Sequence, residues 1–140
     1  MTARRVLVTG ASRGIGAALV AHFLAAGDIV FGCGRSPLET APDQRYTHYT
    51  ADVGDHQDVR EMFADVRRRA GGLDVLVNNA GIARMNLIAL TPPDDARHIV
   101  ETNLLGVFNC THQAIRLMRH APAGRIVNVT TVAVPLRLEG

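Results

Sequence analysis

The stretch Val6-Leu7-Val8-Thr9-Gly10-Ala11-Ser12-Arg13-Gly14-Ile15-Gly16 decides the fold. A short apolar run ends in a glycine-rich turn. A helical pattern follows at once, with Leu19, Val20, Phe23 and Leu24 at helical spacing. Glycine accepts positive φ and lets another backbone or a ligand approach closely. Three glycines where a strand becomes a helix fit a loop that wraps a phosphate against the helix N-terminus. Free N–H groups and the positive end of the helix dipole attract anions there. The spacing is Gly-x-x-x-Gly-x-Gly, not the commoner Gly-x-Gly-x-x-Gly dinucleotide fingerprint.

Working outward, strand and helix signals alternate with no repeat, linker or low-complexity tract. Strands are expected over 6–9, 29–33, 46–51, 75–77 and 126–129. Helices are expected over 15–26 and 55–70, the second with Asp55 as N-cap and Gly71-Gly72 as its stop. A third, long helix is expected from Thr91-Pro92-Pro93-Asp94 to about Arg119, with Thr91 as its capping oxygen and a bend near Gly106. Continuous apolar strands separated by helices indicate an α/β fold: a Rossmann-like, doubly wound parallel sheet covered on both faces. In such sheets a ligand sits beyond the carboxyl ends of the strands. Gly10, Arg35, Asp52, Asn79 and Thr131 all fall at such ends.

The 140 residues suit a single domain with a real core. A formal net charge of +2 is too small to argue for nucleic acid, and no apolar segment reaches membrane-spanning length. All 15 basic residues are arginine. The one basic run, Arg67-Arg68-Arg69, reads as a solvated helix end. Cys33 and Cys110 lie in apolar segments without a Cys-x-x-Cys spacing, so buried thiols and a cytoplasmic location are expected. The six histidines show no metal-ligand spacing, and no glycine-rich run ends in Lys-Ser/Thr. No metal is expected.

Four motifs in order carry a family resemblance. Thr9-Gly10-x-x-x-Gly14-x-Gly16 resembles the cofactor loop of short-chain dehydrogenases/reductases. Asn78-Asn79-Ala80-Gly81 after the strand Val75-Leu76-Val77 is similar to that family's strand-end signature. Asn103, in Glu101-Thr102-Asn103-Leu104, matches its helix asparagine. Gly124-Arg125-Ile126-Val127-Asn128-Val129-Thr130-Thr131 resembles the strand that delivers its catalytic serine. The resemblance implies a dinucleotide cofactor held by Gly10, Ser12, Arg13, Gly14, Ile15 and Gly16. Asp52 and Val53 would flank the adenine, and Asn79, Ala80 and Gly81 would admit the ribose. Gly34 stands where an acid would select NAD, followed by Arg35 and Ser36. With Arg13, that arrangement suits a 2′-phosphate, hence NADP(H). The resemblance makes Asn103 and Thr131 catalytic, with Thr131 in place of serine, keeping a donor hydroxyl with a stiffer χ1.

The expected function is therefore NADP(H)-dependent interconversion of a small-molecule carbonyl and alcohol by hydride transfer in a homo-oligomer. The stretch Asn79 to Leu87 is further similar to 3-oxoacyl-acyl-carrier-protein reductases, which implies 3-oxoacyl thioester reduction. The family's proton-donating tyrosine and its lysine have no counterpart here: the only tyrosines are Tyr46 and Tyr49, and there is no lysine. The sheet is thus expected to be truncated after its fifth strand, and the 140-residue chain alone to be inactive. A non-catalytic dinucleotide-binding or interaction module stays open as the alternative.

Overall fold

The computed structural model describes residues 3–84 and 87–131. Met85 and Asn86, within the reductase-like stretch, lie outside the described residues.

Five parallel strands form one sheet: β1 (Arg5–Thr9), β2 (Ile29–Gly34), β3 (Tyr46–Thr50), β4 (Val75–Asn78) and β5 (Arg125–Asn128). Their order in space is β3-β2-β1-β4-β5. The chain winds outward from β1 to β3, then crosses to β4 and winds the other way, so the switch point falls between β1 and β4. The expected doubly wound fold is what the chain adopts. Alternation along β1 fills both faces. Leu7 packs with Phe31, Leu76, Val59 and Phe63 under helix α2 (His56–Ala70) and helix α4 (Gly106–Leu117). Val6 and Val8 pack with Val20, Leu24, Val30 and Val77 under helix α1 (Gly14–Ala25).

Local signals place most boundaries. The Asp55 carboxylate accepts from the N–H groups of Gln57 and Asp58, and Gly71 closes α2 in the left-handed region. The expected long third helix is a continuous helical run from Pro93 to Leu117, with its irregularity just before Gly106. Helix α3 (Pro93–Val100) passes into a π-helical turn over Glu101–Leu105 before α4 begins at Gly106. Gly106 is needed there because a Cβ would stand 2.6 Å from Val53 Cγ2. Thr91 is not the cap: its hydroxyl donates to Leu87 O, and Pro92 holds the N-cap position without a side-chain bond. Thr130 and Thr131 lie beyond β5, so strand propensity does not account for them.

Both cysteines are buried, and burial pushes the Cys33 thiol up to about 12. No helix among the described residues is long and apolar enough to cross a membrane, and no cluster of three or more His, Cys, Asp or Glu residues there could hold a metal ion.

Charged pairs pin the amino edge of the sheet. Arg4 binds Asp28 at 2.7 Å, and Arg5 binds Asp74 at 2.7 Å. The guanidinium of each arginine holds its partner carboxyl below the ordinary 3.8. A lowered folded value means that the pair adds stability above the ordinary value and loses it as pH falls through the folded one. The urea midpoint is therefore expected to drop below about pH 4. Asp74→Asn should lower the midpoint at neutral pH and flatten its acid dependence. An equally steep acid limb in the variant would place the sensitivity elsewhere.

Candidate functional site

The site is built on a clamp between β1 and β4. The Thr9 hydroxyl, at the buried end of β1, accepts the N–H groups of both Asn79 and Ala80 at 3.0 Å. The Asn79 side-chain amide returns the contact, donating to Thr9 O at 3.0 Å and Gly10 O at 3.2 Å. Asn78 extends the tie outward, donating to Asn128 Oδ1 on β5 and Thr111 Oγ1 on α4. The loop after β1 is thus fixed by four bonds from one dipeptide step.

The glycines serve this closeness. Gly10 has φ +65°, and a Cβ there would meet Ala80 Cα at 2.8 Å. A Cβ on Gly16 would collide with the Gly10 carbonyl oxygen. Helix α1 then starts at Gly14 with Arg13 at the N-cap, no side-chain cap bond and no acid in its first turn. Its leading N–H groups and dipole are left for an anion.

A cleft of about 570 Å³ opens over this turn, at the switch point. Twelve sequence-derived candidates line it: Gly10, Ser12, Arg13, Gly14 and Ile15 from the first loop, Arg35 and Ser36 after β2, Asp52 and Val53 after β3, and Asn79, Ala80 and Gly81 after β4. Gly16 does not line the cleft; it packs beneath Gly10. Sequence reasoning missed Cys33, Ala51, Ile82 and Thr102, which are also in the wall. Cys33, Ala51 and Ile82 adjoin expected wall residues at the strand ends, which is the signal that could have found them, while Thr102 is brought in by tertiary contact.

Several placements sharpen the reading. Asp52 lies past the end of β3, and its carboxylate accepts the Gly54 N–H at 2.8 Å. Arg35 reaches across to α3, where its guanidinium donates to His98 Nε2 at 3.2 Å. Asn103 lies on the π turn, outside the lining. Its amide makes two bonds to one backbone unit, accepting from Ile82 N at 2.9 Å and donating to Ile82 O at 2.8 Å. Thr131 lies three residues beyond Asn128, the end of β5, and is not in the lining. Tyr46 and Tyr49 sit on β3. The Tyr46 hydroxyl contacts His48, with burial pushing it up to about 12, and Tyr49 donates to Asp65. Neither lines the cleft.

Comparison with known proteins agrees with this geometry. The family model described as short chain dehydrogenase matches residues 4–138. The chain is 39% identical over 133 residues to acetoacetyl-CoA reductase of Shinella zoogloeoides, covering 92% of this chain and 55% of that protein. It is 34% identical over 138 residues to 3-oxoacyl-acyl-carrier-protein reductase FabG of Staphylococcus aureus, covering 92% and 56%. Among solved structures, a gluconate 5-dehydrogenase from Burkholderia cenocepacia in complex with NADP and tartrate superposes with a TM-score of 0.83 at 34% identity, over 94% of this chain and 55% of that one. The chain belongs to the short-chain dehydrogenase family. It spans about half the length of the curated relatives it matches.

The clamp has a measurable worth. Thr9→Val keeps the shape and leaves the Asn79 and Ala80 N–H groups without their acceptor. Each orphaned buried donor costs about 1–3 kcal/mol. Urea denaturation of the variant should show a loss of at least that size, and an unchanged midpoint would mean that the strand ends are held elsewhere.

Proposed function

We propose that the whole protein is an NADP(H)-dependent oxidoreductase that interconverts a carbonyl and an alcohol, with this chain supplying the cofactor-binding part. The observation that carries the reading is the uncapped N-terminus of α1, facing a cleft at the switch point with Arg13 and Arg35 in its wall. An anionic dinucleotide fits that wall: free N–H groups for the diphosphate and two guanidiniums for a further phosphate. The gluconate 5-dehydrogenase neighbour holds NADP.

The proposed roles follow from the surroundings of each residue. Gly10, Ser12, Gly14 and Ile15 form the diphosphate cradle, and Gly16 keeps α1 close beneath it. Arg13, Arg35 and Ser36 read the 2′-phosphate; a guanidinium can engage it through two N–H groups. A side chain on Gly34 would press on the Ser12 hydroxyl, which disfavours the acid that selects NAD. Asp52 accepts from the adenine amine while Val53 packs on the ring. Ala80 and Gly81 admit the ribose beside Asn79. When bound, the nicotinamide cofactor supplies or takes the hydride. Thr131 donates a hydrogen bond to the carbonyl oxygen as charge develops on it. Asn103 fixes the Ile82 backbone at the edge of the cleft. The reductase relatives favour a 3-oxoacyl thioester as the substrate class, and homo-oligomeric assembly and a cytoplasmic location belong to the same proposal.

Titrating the chain with 2′,5′-ADP and with 5′-AMP tests the cofactor preference. The 2′-phosphate should tighten binding, and Arg35→Asp should erase or reverse that gain; equal affinities in the parent would overturn the reading. In the whole enzyme, Thr131→Val should lower turnover by about 10²-fold, the usual cost of losing one such donor. Unchanged turnover would assign the role to another group.

A further inference from the structure

A contact at the edge of the cleft joins two elements that no sequence pattern links. Arg35, from the loop after β2, lines the cleft, and His98, on α3, stands just outside the lining. Their positions differ by 63, yet the Arg35 guanidinium donates to His98 Nε2 at 3.2 Å. A guanidinium has donors only, so Nε2 is the acceptor nitrogen of a neutral ring and the proton sits on Nδ1. That Nδ1 is 3.9 Å from the carboxylate of Glu101, one helical turn on. Glu101, His98 and Arg35 thus form a row of carboxylate, imidazole and guanidinium that ends in the cleft wall. Thr102, next to Glu101, is itself in that wall, so this end of the helix borders the cleft.

The backbone on either side of Arg35 is fixed. Gly34 O accepts the Ala51 N–H at 2.9 Å. Ser36 O accepts from His48 Nε2 at 3.2 Å, and His48 Nδ1 accepts the Tyr46 hydroxyl at 2.9 Å. Both nitrogens of that second ring are therefore engaged. The charged groups nearest His98 are few. Arg35 faces Nε2 from the loop after β2, and Glu101 faces Nδ1 from the π turn. Asp94 and Asp95 precede the ring by about one turn on α3, and Arg97 adjoins it. From the loop after β3, the Asp52 carboxylate accepts the Gly54 N–H.

We propose that His98 is a further reader of the 2′-phosphate and takes up a proton as NADP(H) binds. The inference rests on the NADP(H) reading of the cleft. While neutral, His98 has no proton at Nε2 to offer an anion. A phosphate oxygen that arrives at the Arg35 guanidinium takes the N–H now given to Nε2 and leaves that nitrogen without a donor. A proton from solvent then turns Nε2 into a second donor, reaching the same anion from the α3 side. Two cations as close as Arg35 and an imidazolium repel, and a phosphate held by both removes that cost. Glu101 offsets the new charge from behind, so that the ring donates through both nitrogens, Nδ1 toward Glu101 and Nε2 to the phosphate. Histidine suits the task because its charge ordinarily changes between about pH 5 and 8. A ribose hydroxyl brings no charge to this edge, so NAD(H) leaves the neutral pair as it is.

Isothermal titration calorimetry of the chain with 2′,5′-ADP and with 5′-AMP, in two buffers of different ionisation enthalpy, tests the proposal. Above about pH 7 the 2′-phosphate is already a dianion, since its second ionisation lies near pH 6. Binding of 2′,5′-ADP should then carry a net proton uptake that 5′-AMP lacks. The preference for 2′,5′-ADP, read as the ratio of the two affinities, should fall from about pH 7 to about pH 8.5, because a proton bound only in the complex becomes harder to supply. His98→Gln keeps a hydrogen-bonding amide and has no proton to gain. In that variant the extra uptake should vanish, the preference should shrink about two- to fivefold and its pH slope should flatten. His98→Glu should shrink the preference further. Circular dichroism of both variants verifies that they fold. A parent with equal affinity for the two ligands would overturn the cofactor reading and this one together. A parent that prefers 2′,5′-ADP without extra proton uptake, or a His98→Gln variant that retains the uptake or the full preference, would overturn this proposal and leave the cofactor reading standing.

Discussion

One neutral hydroxyl sets the geometry of the cleft. Thr9 Oγ1 accepts the two consecutive N–H groups that leave β4, so the two strand ends at the switch point cannot separate. The Asn79 amide then binds the carbonyls of Thr9 and Gly10 in return. With the loop held this tightly, side chains at Gly10 and Gly16 have no room. The glycine spacing is a consequence of this approach as much as of any ligand. The start of α1 opens toward the cleft, with Arg13 at the N-cap and no side-chain cap bond.

The loop after β3 is held by a second set of contacts. Asn109 on α4 donates to Val53 O, and Gly106 lets α4 lie against the Val53 side chain. Between α3 and α4, the π turn carries Asn103 to the Ile82 backbone. Two otherwise unconnected loops, after β3 and after β4, are thereby referenced to one helix. π-helical turns often mark functional positions, and here the turn gives the asparagine its reach.

Much of this was legible in the sequence because the governing signals are local. Apolar runs bounded by glycine gave the parallel sheet. Asp55 and Gly71 marked the ends of α2, and Gly10, Ser12, Arg13, Gly14, Ile15, Asn79, Ala80 and Gly81 line the cleft, whereas Gly16 and Asn78 do not. What escaped depends on contacts between distant segments. Within the long third helix the π turn sits where Asn103 binds the Ile82 backbone and Gly106 meets Val53, contacts that propensity does not carry. Thr91 looked like a cap but found the nearer carbonyl of Leu87. Arg35 met a histidine 63 residues away. The basic run proved to be two paired arginines and one unpaired, because Asp65 lies within one helical turn of Arg68 and Arg69 and so takes both.

The two edges of the sheet are fastened by different chemistry. At the amino edge the fasteners are ionic, Arg4 with Asp28 and Arg5 with Asp74. At the carboxyl edge the ties between β1, β4 and β5 are amides and a hydroxyl, groups that carry no charge at any physiological pH. Changes in acidity or ionic strength therefore act first on the edge remote from the cleft. The threonine and asparagines that join β1, β4 and β5 have no proton to gain or lose when an anion enters or leaves the cleft.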